Sequence, residues 1–167
     1  MQIAIISDTH LPRGARALPP RCVERLRAAD LIVHAGDLIT LAVLGELRQL
    51  NRVVAVHGNV DDAEVRAALP ETAVVDVDGK RLAVVHDAGP ARNRLNRLRH
   101  RFPQADAVIF GHSHIPLHER APDGFEIFNP GSPTDRRRQP RHTMGICRTG
   151  AEPHAGPGLT FELVALD

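Results

Sequence analysis

The chain has 167 residues, the size of one domain, and its 43% share of apolar residues is large enough to bury a core. A formal net charge of +1, with five Phe, no Trp and no Tyr, excludes a bulk electrostatic attraction to nucleic acid and disfavours a base-stacking platform. No apolar run is long enough to span a membrane, and the first residues lack the basic segment of a signal peptide. We therefore expect one cytoplasmic domain over residues 1–167 that has no membrane partner and for which nucleic acid is disfavoured without being excluded.

Apolar runs rich in β-branched residues alternate with amphipathic patterns in the first third of the chain. Strands are predicted over 2–6, 31–35 and 52–57, and helices over 19–29 and 41–50. Continuous apolar strands separated by helices are typical of a parallel sheet that is covered on both faces.

The pattern changes after residue 70, where Asp78-Gly79 is the turn signal of a hairpin. Further strands are predicted over 72–77, 81–86, 106–110 and 125–128, a basic amphipathic helix over 91–102, and a closing hairpin in the tail. The mixture predicts an α/β fold with either one mixed sheet or two sheets packed together between helices.

Five of these strands are followed by side chains that can bind a metal, often beside a glycine. In chain order they are Asp8, His10, Asp37, Asn59, His86, His112 and His114. Because ligands bind at the carboxyl ends of strands in open α/β sheets, we expect these distant segments to meet at one rim. The pair His112 and His114, taken alone, would more often be two solvated loop histidines, and the metal-binding side chains at the other strand ends are what favour a metal site.

The ligand types indicate which ions such a site would hold. Carboxylates and an amide oxygen mixed with imidazoles suit Mn²⁺, Fe²⁺ or Zn²⁺ better than Ca²⁺ or a thiolate-bound structural zinc. Seven ligands are too many for one tetrahedral ion, and they suit two ions that share a bridging carboxylate.

The order of these motifs resembles that of the calcineurin-like metallophosphoesterases. The matching motifs are Asp8-x-His10, Gly36-Asp37, Gly58-Asn59, His86 and Gly111-His112-x-His114. The short length and the segment Asn129-Pro130-Gly131-Ser132 resemble the compact bacterial and archaeal phosphodiesterases of that superfamily. The resemblance spans residues 3–132 and implies a four-layer αββα sandwich of two mixed sheets flanked by helices.

The resemblance also implies a ligand set and a reaction. One ion would be held by Asp8, His10, Asp37 and His114, and the other by Asp37, Asn59, His86 and His112, with Asp37 bridging. The cofactors would be two divalent ions, with Mn favoured and Fe, Zn, Ni and Mg as alternatives. A hydroxide that bridges the two ions would hydrolyse a small phosphodiester or nucleotide-like substrate, with Asp37, Asn59 and His112 as the catalytic residues. The sequence leaves the oligomeric state open.

Three features depart from the family pattern. Val60 stands where many members carry a histidine that faces the leaving group as an acid, and Asp87 stands where glycine is common. The segment 133–145 has no counterpart, and its arginines between Arg136 and Arg141 fit a solvated loop, with steering of an anionic substrate as the alternative.

Two other functions of the same fold stay open. Phosphomonoesterase activity is the second choice after phosphodiester hydrolysis, and a protein-serine/threonine phosphatase of this fold is weakened by the short chain and by Val60. A non-catalytic interaction scaffold, as in the retromer subunit of this fold, is weakened by the complete set of seven ligands. Among the other histidines, we predict that His34 and His57 support the core and that His100, His118, His142 and His154 lie at the surface; Cys22 and Cys147 are predicted to be buried free thiols.

Overall fold

The computed structural model of the chain describes residues 1–152 and 156–167. In this part, ten strands form two five-stranded sheets and four helices are present. The strands are β1 Gln2–Ile6, β2 Leu31–His34, β3 Val53–Ala55, β4 Thr72–Val77, β5 Lys80–Val85, β6 Ala107–Ile109, β7 Leu117–Arg120, β8 Glu126–Asn129, β9 Thr143–Glu152 and β10 Gly156–Ala165. The helices are α1 Pro20–Ala28, α2 Leu41–Leu50, α3 Ala63–Ala68 and α4 Arg94–Arg101.

Both sheets are mixed, with parallel strands at their centres. The first has the order β10-β9-β1-β2-β3, in which β1, β2 and β3 are parallel and β9 runs antiparallel to β1. The second has the order β4-β5-β6-β8-β7, in which β5, β6 and β8 are parallel and the two edge strands are antiparallel. The carboxyl ends of five parallel strands, β1, β2, β3, β5 and β6, therefore carry the loops on which the candidate ligands lie.

The apolar residues of β1 alternate between two cores, because successive side chains of a strand point to opposite faces. Ile3 and Ile5 pack with Leu82 and Val84 of β5 in a core between the two sheets. Ala4 and Ile6 face the opposite way, into a core with α1, α2 and α3. A third core joins the outer face of the second sheet to α4. This packing confirms the four-layer αββα sandwich and decides for two sheets over one.

Two short elements were missing from the sequence prediction. The six-residue helix α3 begins after Asp62, whose side chain accepts a hydrogen bond from the Val65 N–H at 2.8 Å. The edge strand β7 is largely exposed and pairs only with β8, so it lacks the apolar pattern of a central strand. The basic helix is shorter than predicted, since Asn93 at its start has φ of 54°.

The cysteines and the remaining histidines lie largely where the sequence predicts. Cys22 and Cys147 are buried free thiols, and burial raises the pKa of both to about 12. His34 is fully buried and His57 half-buried, while His100 is exposed and His142 pairs with Asp167. His118 is at the surface, but its ring packs on Phe128 and Phe161. His154 lies outside the described residues, and in residues 1–152 and 156–167 no helix is long and apolar enough to cross a membrane.

Candidate metal centre

The first group of candidate ligands joins the loops after β1 and β6. The Nε2 atoms of His10 and His114 lie 3.2 Å apart, and His114 Nε2 lies 3.4 Å from Asp8 Oδ1. All three side chains are buried, and each offers a ligand atom within 4.8 Å of the other two. Two imidazole nitrogens that face one carboxylate are a donor set that suits a transition-metal ion.

The second group lies around Asp37. Its Oδ2 atom is 3.3 Å from His86 Nε2 and 3.7 Å from His10 Nε2, and Asp8, Asp37 and His86 also offer ligand atoms within 4.8 Å of one another. Asp37 therefore lies between the two groups, where a shared ligand would have to be. Asp8 belongs to both groups by distance, which the sequence did not predict.

Asn59 and His112 complete the set at the exposed side of the second group. The Asn59 Oδ1 atom lies 3.1 Å from His86 Nε2 and 3.0 Å from His112 Nδ1, and both Asn59 and His112 are exposed. All seven residues singled out in the sequence thus meet at one rim. They follow five strands, of which β1, β2 and β3 belong to the first sheet and β5 and β6 to the second.

Two of the histidines are oriented by backbone carbonyls. His86 Nδ1 donates a hydrogen bond to Ala35 O at 2.8 Å, and His114 Nδ1 donates to Asp135 O at 2.5 Å. A proton on Nδ1 leaves the Nε2 lone pair of each ring directed into the centre, which is the tautomer that a metal ligand needs. The donor set and its orientation therefore fit divalent ions. The contact with Asp135 was missed by sequence analysis, because nothing in a sequence marks the carbonyl that a distant ring will meet.

The backbone of the candidate ligands is strained. Five of the seven have positive φ: Asp8 at 55°, His10 at 48°, Asp37 at 62°, His112 at 67° and His114 at 58°. This left-handed region costs a non-glycine residue on the order of 1–3 kcal/mol and persists only where the surroundings enforce it. Such strain concentrates at functional sites, and here it falls in the loops after β1, β2 and β6, whose side chains converge on the candidate metal centre.

Two glycines beside the ligands are required by close approach. A Cβ atom at Gly58 would collide with Asp37 Oδ1, and one at Gly111 would collide with Ser7 Oγ and approach Asp8 Oδ2 to 2.7 Å. The glycine that precedes Asn59 and the one that precedes His112 are therefore part of the site, which gives a physical reason for the Gly-Asn and Gly-His pairs in the sequence.

The two carboxylates differ in their proton affinity. Burial raises the pKa of Asp8 to about 6, although the charge of His86 and the hydrogen bond from Ser7 act against this rise. Burial acts in the same direction on Asp37, but the hydrogen bond and the charge of His86 outweigh it and hold the pKa of Asp37 below its usual value. A cation at the centre would therefore compete with a proton at Asp8 more than at Asp37.

The pKa values of the histidines are also shifted in opposite directions. Burial lowers the pKa of His10 and of His114, so both are neutral near pH 7, as metal ligands must be. Burial also opposes the protonation of His86, but its hydrogen bond to Asp37 and the charge of Asp8 outweigh that effect and raise its pKa.

A family model confirms what the arrangement of these ligands indicates. The model described as the calcineurin-like phosphoesterase superfamily domain matches residues 1–152. The chain belongs to the calcineurin-like phosphoesterase superfamily. Enzymes of this superfamily are metal-dependent hydrolases of phosphate esters, and the ligand groups around Asp8 and Asp37 are the candidate metal site of this member.

Two curated relatives and one solved structure are similar to this superfamily member. A probable metallophosphoesterase of Methanothermobacter thermautotrophicus is 35% identical over 136 residues, which cover 80% of this chain and 78% of that protein. A phosphodiesterase of Methanocaldococcus jannaschii is 28% identical over 145 residues, covering 78% of this chain and 83% of that protein. The structure of Vacuolar Protein Sorting 29 from Cryptosporidium parvum has a TM-score of 0.78 at 18% identity, covering 98% of this chain and 97% of that one. At this identity the structural likeness bears on the fold alone.

Two of the three departures from the phosphoesterase pattern, Val60 and Asp87, lie at the rim. Val60 is 42% exposed, and its backbone N–H donates to Asp37 Oδ1 at 3.1 Å. Asp87 is exposed, and its Oδ1 accepts from the Gly89 N–H at 2.7 Å. A cavity of about 320 Å³ opens beside Asp87 and is lined by His57, Asn59, Arg66, His86 and Asp87, among others.

The segment 129–138 supports the first group from outside. Asn129 Nδ2 donates to Gly111 O at 2.9 Å, and Ser132 Oγ donates to Asp8 O at 2.8 Å, so this segment joins the ligand loops after β1 and β6. Arg136, Arg137 and Arg138 are exposed, as expected for a solvated loop. The charge of Arg137 adds to burial in lowering the pKa of His114.

Proposed function

We propose that the protein is a phosphodiesterase that uses two divalent metal ions, with Mn²⁺ as the favoured ion. One ion would be bound by Asp8, His10, Asp37 and His114, and the other by Asp37, Asn59, His86 and His112. The observation that carries the proposal is the position of Asp37, whose Oδ2 lies 3.7 Å from His10 Nε2 in one group and 3.3 Å from His86 Nε2 in the other. When bound, such a pair of ions supplies an activated water nucleophile and neutralises charge on the phosphoryl oxygens.

The chain's own residues would hold the ions and orient the substrate. Asp37 holds its carboxylate in place through the Val60 N–H and the ring of His86, so it needs no rearrangement on binding. Asn59 and His112 lie at the exposed side, where a substrate phosphate would arrive, and they are therefore the residues that contact it. The exposed arginines Arg136, Arg137 and Arg138 would attract the anionic substrate.

A diester is favoured over a monoester for two reasons. A phosphodiesterase is among the relatives, at 28% identity. The rim beside Asn59 carries the exposed, uncharged Val60, so one side of the centre offers an ester substituent an apolar contact. The open cavity of about 320 Å³ beside His86 suits a small or nucleotide-like substituent.

The test is hydrolysis of bis(p-nitrophenyl) phosphate by chelator-stripped protein with and without added Mn²⁺, followed by cyclic nucleotides, dinucleotides and phosphomonoesters. We expect turnover that depends on the metal, is higher for diesters, and is lost in Asp37→Asn. Asp76→Asn removes the same charge from an exposed position on β4 and should leave turnover unchanged. A protein that binds two ions yet hydrolyses none of these esters would be a scaffold.

A further inference from the structure

Asp61 is a buried carboxylate that binds no candidate ligand side chain and yet joins two ligand loops. Only 4% of the residue is exposed. Its Oδ2 atom accepts hydrogen bonds from the Gly58 N–H at 2.6 Å and the Asp37 N–H at 3.1 Å, and its Oδ1 atom accepts from the Ile39 N–H at 2.6 Å. One side chain therefore binds backbone from the loop after β2 and from the loop after β3.

The backbone that Asp61 binds is strained. Asp37 has φ of 62° and Ile39 has φ of 91°, and a β-branched residue at such an angle is a true outlier. A buried N–H also requires an acceptor, and a carboxylate is a stronger one than a carbonyl. The three hydrogen bonds to Asp61 explain how the strained turn through Asp37 and Ile39 persists.

The loop after β3, which carries Asp61, also binds the side chain of Asp37. Val60, the residue before Asp61, donates its N–H to Asp37 Oδ1 at 3.1 Å. Asn59, two residues before Asp61, lies in the same segment. The backbone and the carboxylate of Asp37 are thus both fixed relative to the loop that carries Asn59.

We propose that Asp61 is a positioning residue of the candidate metal centre. It binds no ion itself, because both of its oxygens are engaged by backbone N–H groups. It sets the position of Asp37 relative to Asn59, and so it sets the affinity for the second ion, which those two residues share. The proposal rests on the two-ion function proposed above.

The neighbouring residue Asp62 provides a matched control. Its Oδ1 accepts from the Val65 N–H at 2.8 Å, which caps α3 and involves no ligand loop contact through the side chain. Asp62→Asn removes the same formal charge one residue away, at a half-buried position, so it controls for the loss of a negative charge without the effect on position.

The experiment is a calorimetric Mn²⁺ titration of the chelator-stripped full chain for the wild type, Asp61→Asn, Asp61→Glu and Asp62→Asn. Asparagine offers one acceptor oxygen in place of two, so we expect the Kd of one of the two ions to rise about 10–100-fold, as for other residues that orient metal ligands. Asp61→Glu keeps the charge but displaces the carboxylate, and it should raise the Kd of the same ion. Asp62→Asn should bind both ions as the wild type does. Equal Kd values for Asp61→Asn and Asp62→Asn would overturn the proposal, and so would full recovery in Asp61→Glu.

If Asp61→Asn does not fold, amide hydrogen exchange in the wild type tests the hydrogen bonds to Asp61. The amide protons of Asp37, Ile39 and Gly58 should exchange slowly with solvent in the metal-stripped protein, because all three are bound to a buried carboxylate. Exchange at the rate of exposed loop amides would overturn the assignment. This measurement also separates the two proposals: a wild type that binds one ion or none contradicts the proposed function, while the amide exchange still reports on Asp61.

Discussion

The Oδ2 atom of Asp37 lies 3.3 Å from Nε2 of His86, although 48 intervening positions separate them and they follow strands of different sheets. The contact crosses the interface between the two layers at the carboxyl ends of β2 and β5. It couples the lowered pKa of Asp37 to the raised pKa of His86, since each favours the charged form of the other. The candidate metal centre therefore depends on how the two sheets pack, as well as on the loops.

The number of bound ions should depend on whether Asp37 or His86 is substituted. Asp37→Asn weakens a donor that both ions would share, so we expect loss of tight binding of both. His86→Ala removes a ligand of the second ion alone and should leave about one ion per chain. Metal analysis after gel filtration of Mn²⁺-loaded protein measures the ratio. Two ions per chain in Asp37→Asn would show that this carboxylate does not bridge.

Metal affinity should fall at acidic pH because of Asp8. Burial raises its pKa to about 6, and an ion can bind only the deprotonated carboxylate, so below that pH the ion that Asp8 binds must displace its proton. The apparent affinity should then fall by up to about tenfold per pH unit for each proton displaced, while above pH 6 the Asp8 contribution should be flat. Mn²⁺ titrations at pH 5, 6, 7 and 8, in buffers of different ionisation enthalpy, give the affinity and the protons released. Equal affinities at pH 5 and pH 7 would contradict the raised pKa.

The sequence predicts the ligands at the strand ends, but only some of the interactions that hold those ligands in place. The apolar run over residues 2–6 and the Gly-Asp, Gly-Asn and Gly-His pairs are local patterns, and they locate the ligands because parallel strands bring their carboxyl ends together. The partner of His114 is the carbonyl of Asp135, which every residue type possesses, so no residue pattern identifies it. The role of Asp61 is hidden for a similar reason, because its three partners are backbone N–H groups.

His34 should make the stability of the metal-stripped protein depend on pH. Its Nδ1 accepts from the Gly36 N–H at 3.2 Å and its Nε2 lies 3.1 Å from Thr9 Oγ1, and burial lowers its pKa to about 3. The unfolded chain takes up this proton near pH 6.5 and the folded chain does not, so the stability is full above that pH and falls as the pH drops from about 6.5 toward 3. The loss at pH 5 should be about 2 kcal/mol.

Urea denaturation of the wild type and of His34→Gln at pH 7 and pH 5 isolates this effect. Asp8 acts in the opposite direction, because its raised pKa lets the folded state bind a proton more tightly as the pH falls toward 4. Both proteins share that contribution, so it cancels in the difference between them. The wild type should lose more stability between pH 7 and pH 5 than His34→Gln does; equal losses would mean that His34 is protonated in the folded state.

Substitution of two glycines should separate site geometry from helix propensity. Gly111→Ala places a Cβ atom against Ser7 Oγ and near Asp8, so we expect loss of Mn²⁺ binding and lower stability. Gly45 lies in α2 with open space around its Cβ position, and Gly45→Ala should raise the free energy of unfolding by about 0.5–1 kcal/mol without changing Mn²⁺ binding. Thermal denaturation and calorimetry measure the two quantities. Normal metal affinity in a folded Gly111→Ala protein would show that the loop can move aside.

The leaving-group dependence should follow from Val60. General-acid assistance typically contributes about 10²–10⁴-fold, and a valine has no proton to donate. We therefore expect the wild type to hydrolyse diesters with acidic leaving groups, such as p-nitrophenol, much faster than diesters that release alkoxides. Val60→His should accelerate the poor leaving groups more than the good ones. Because Val60 is 42% exposed, the substitution should cost little stability, and a change in rate can be attributed to the imidazole.

The measurement is kcat/KM for diesters of graded leaving-group pKa in both proteins, with Val60→Asn as a polar control that carries no titratable proton. A flat dependence in the wild type, with the chemical step rate-limiting, would mean that another group already donates the proton, and the half-buried His57 in the adjoining cavity would be the next residue to substitute.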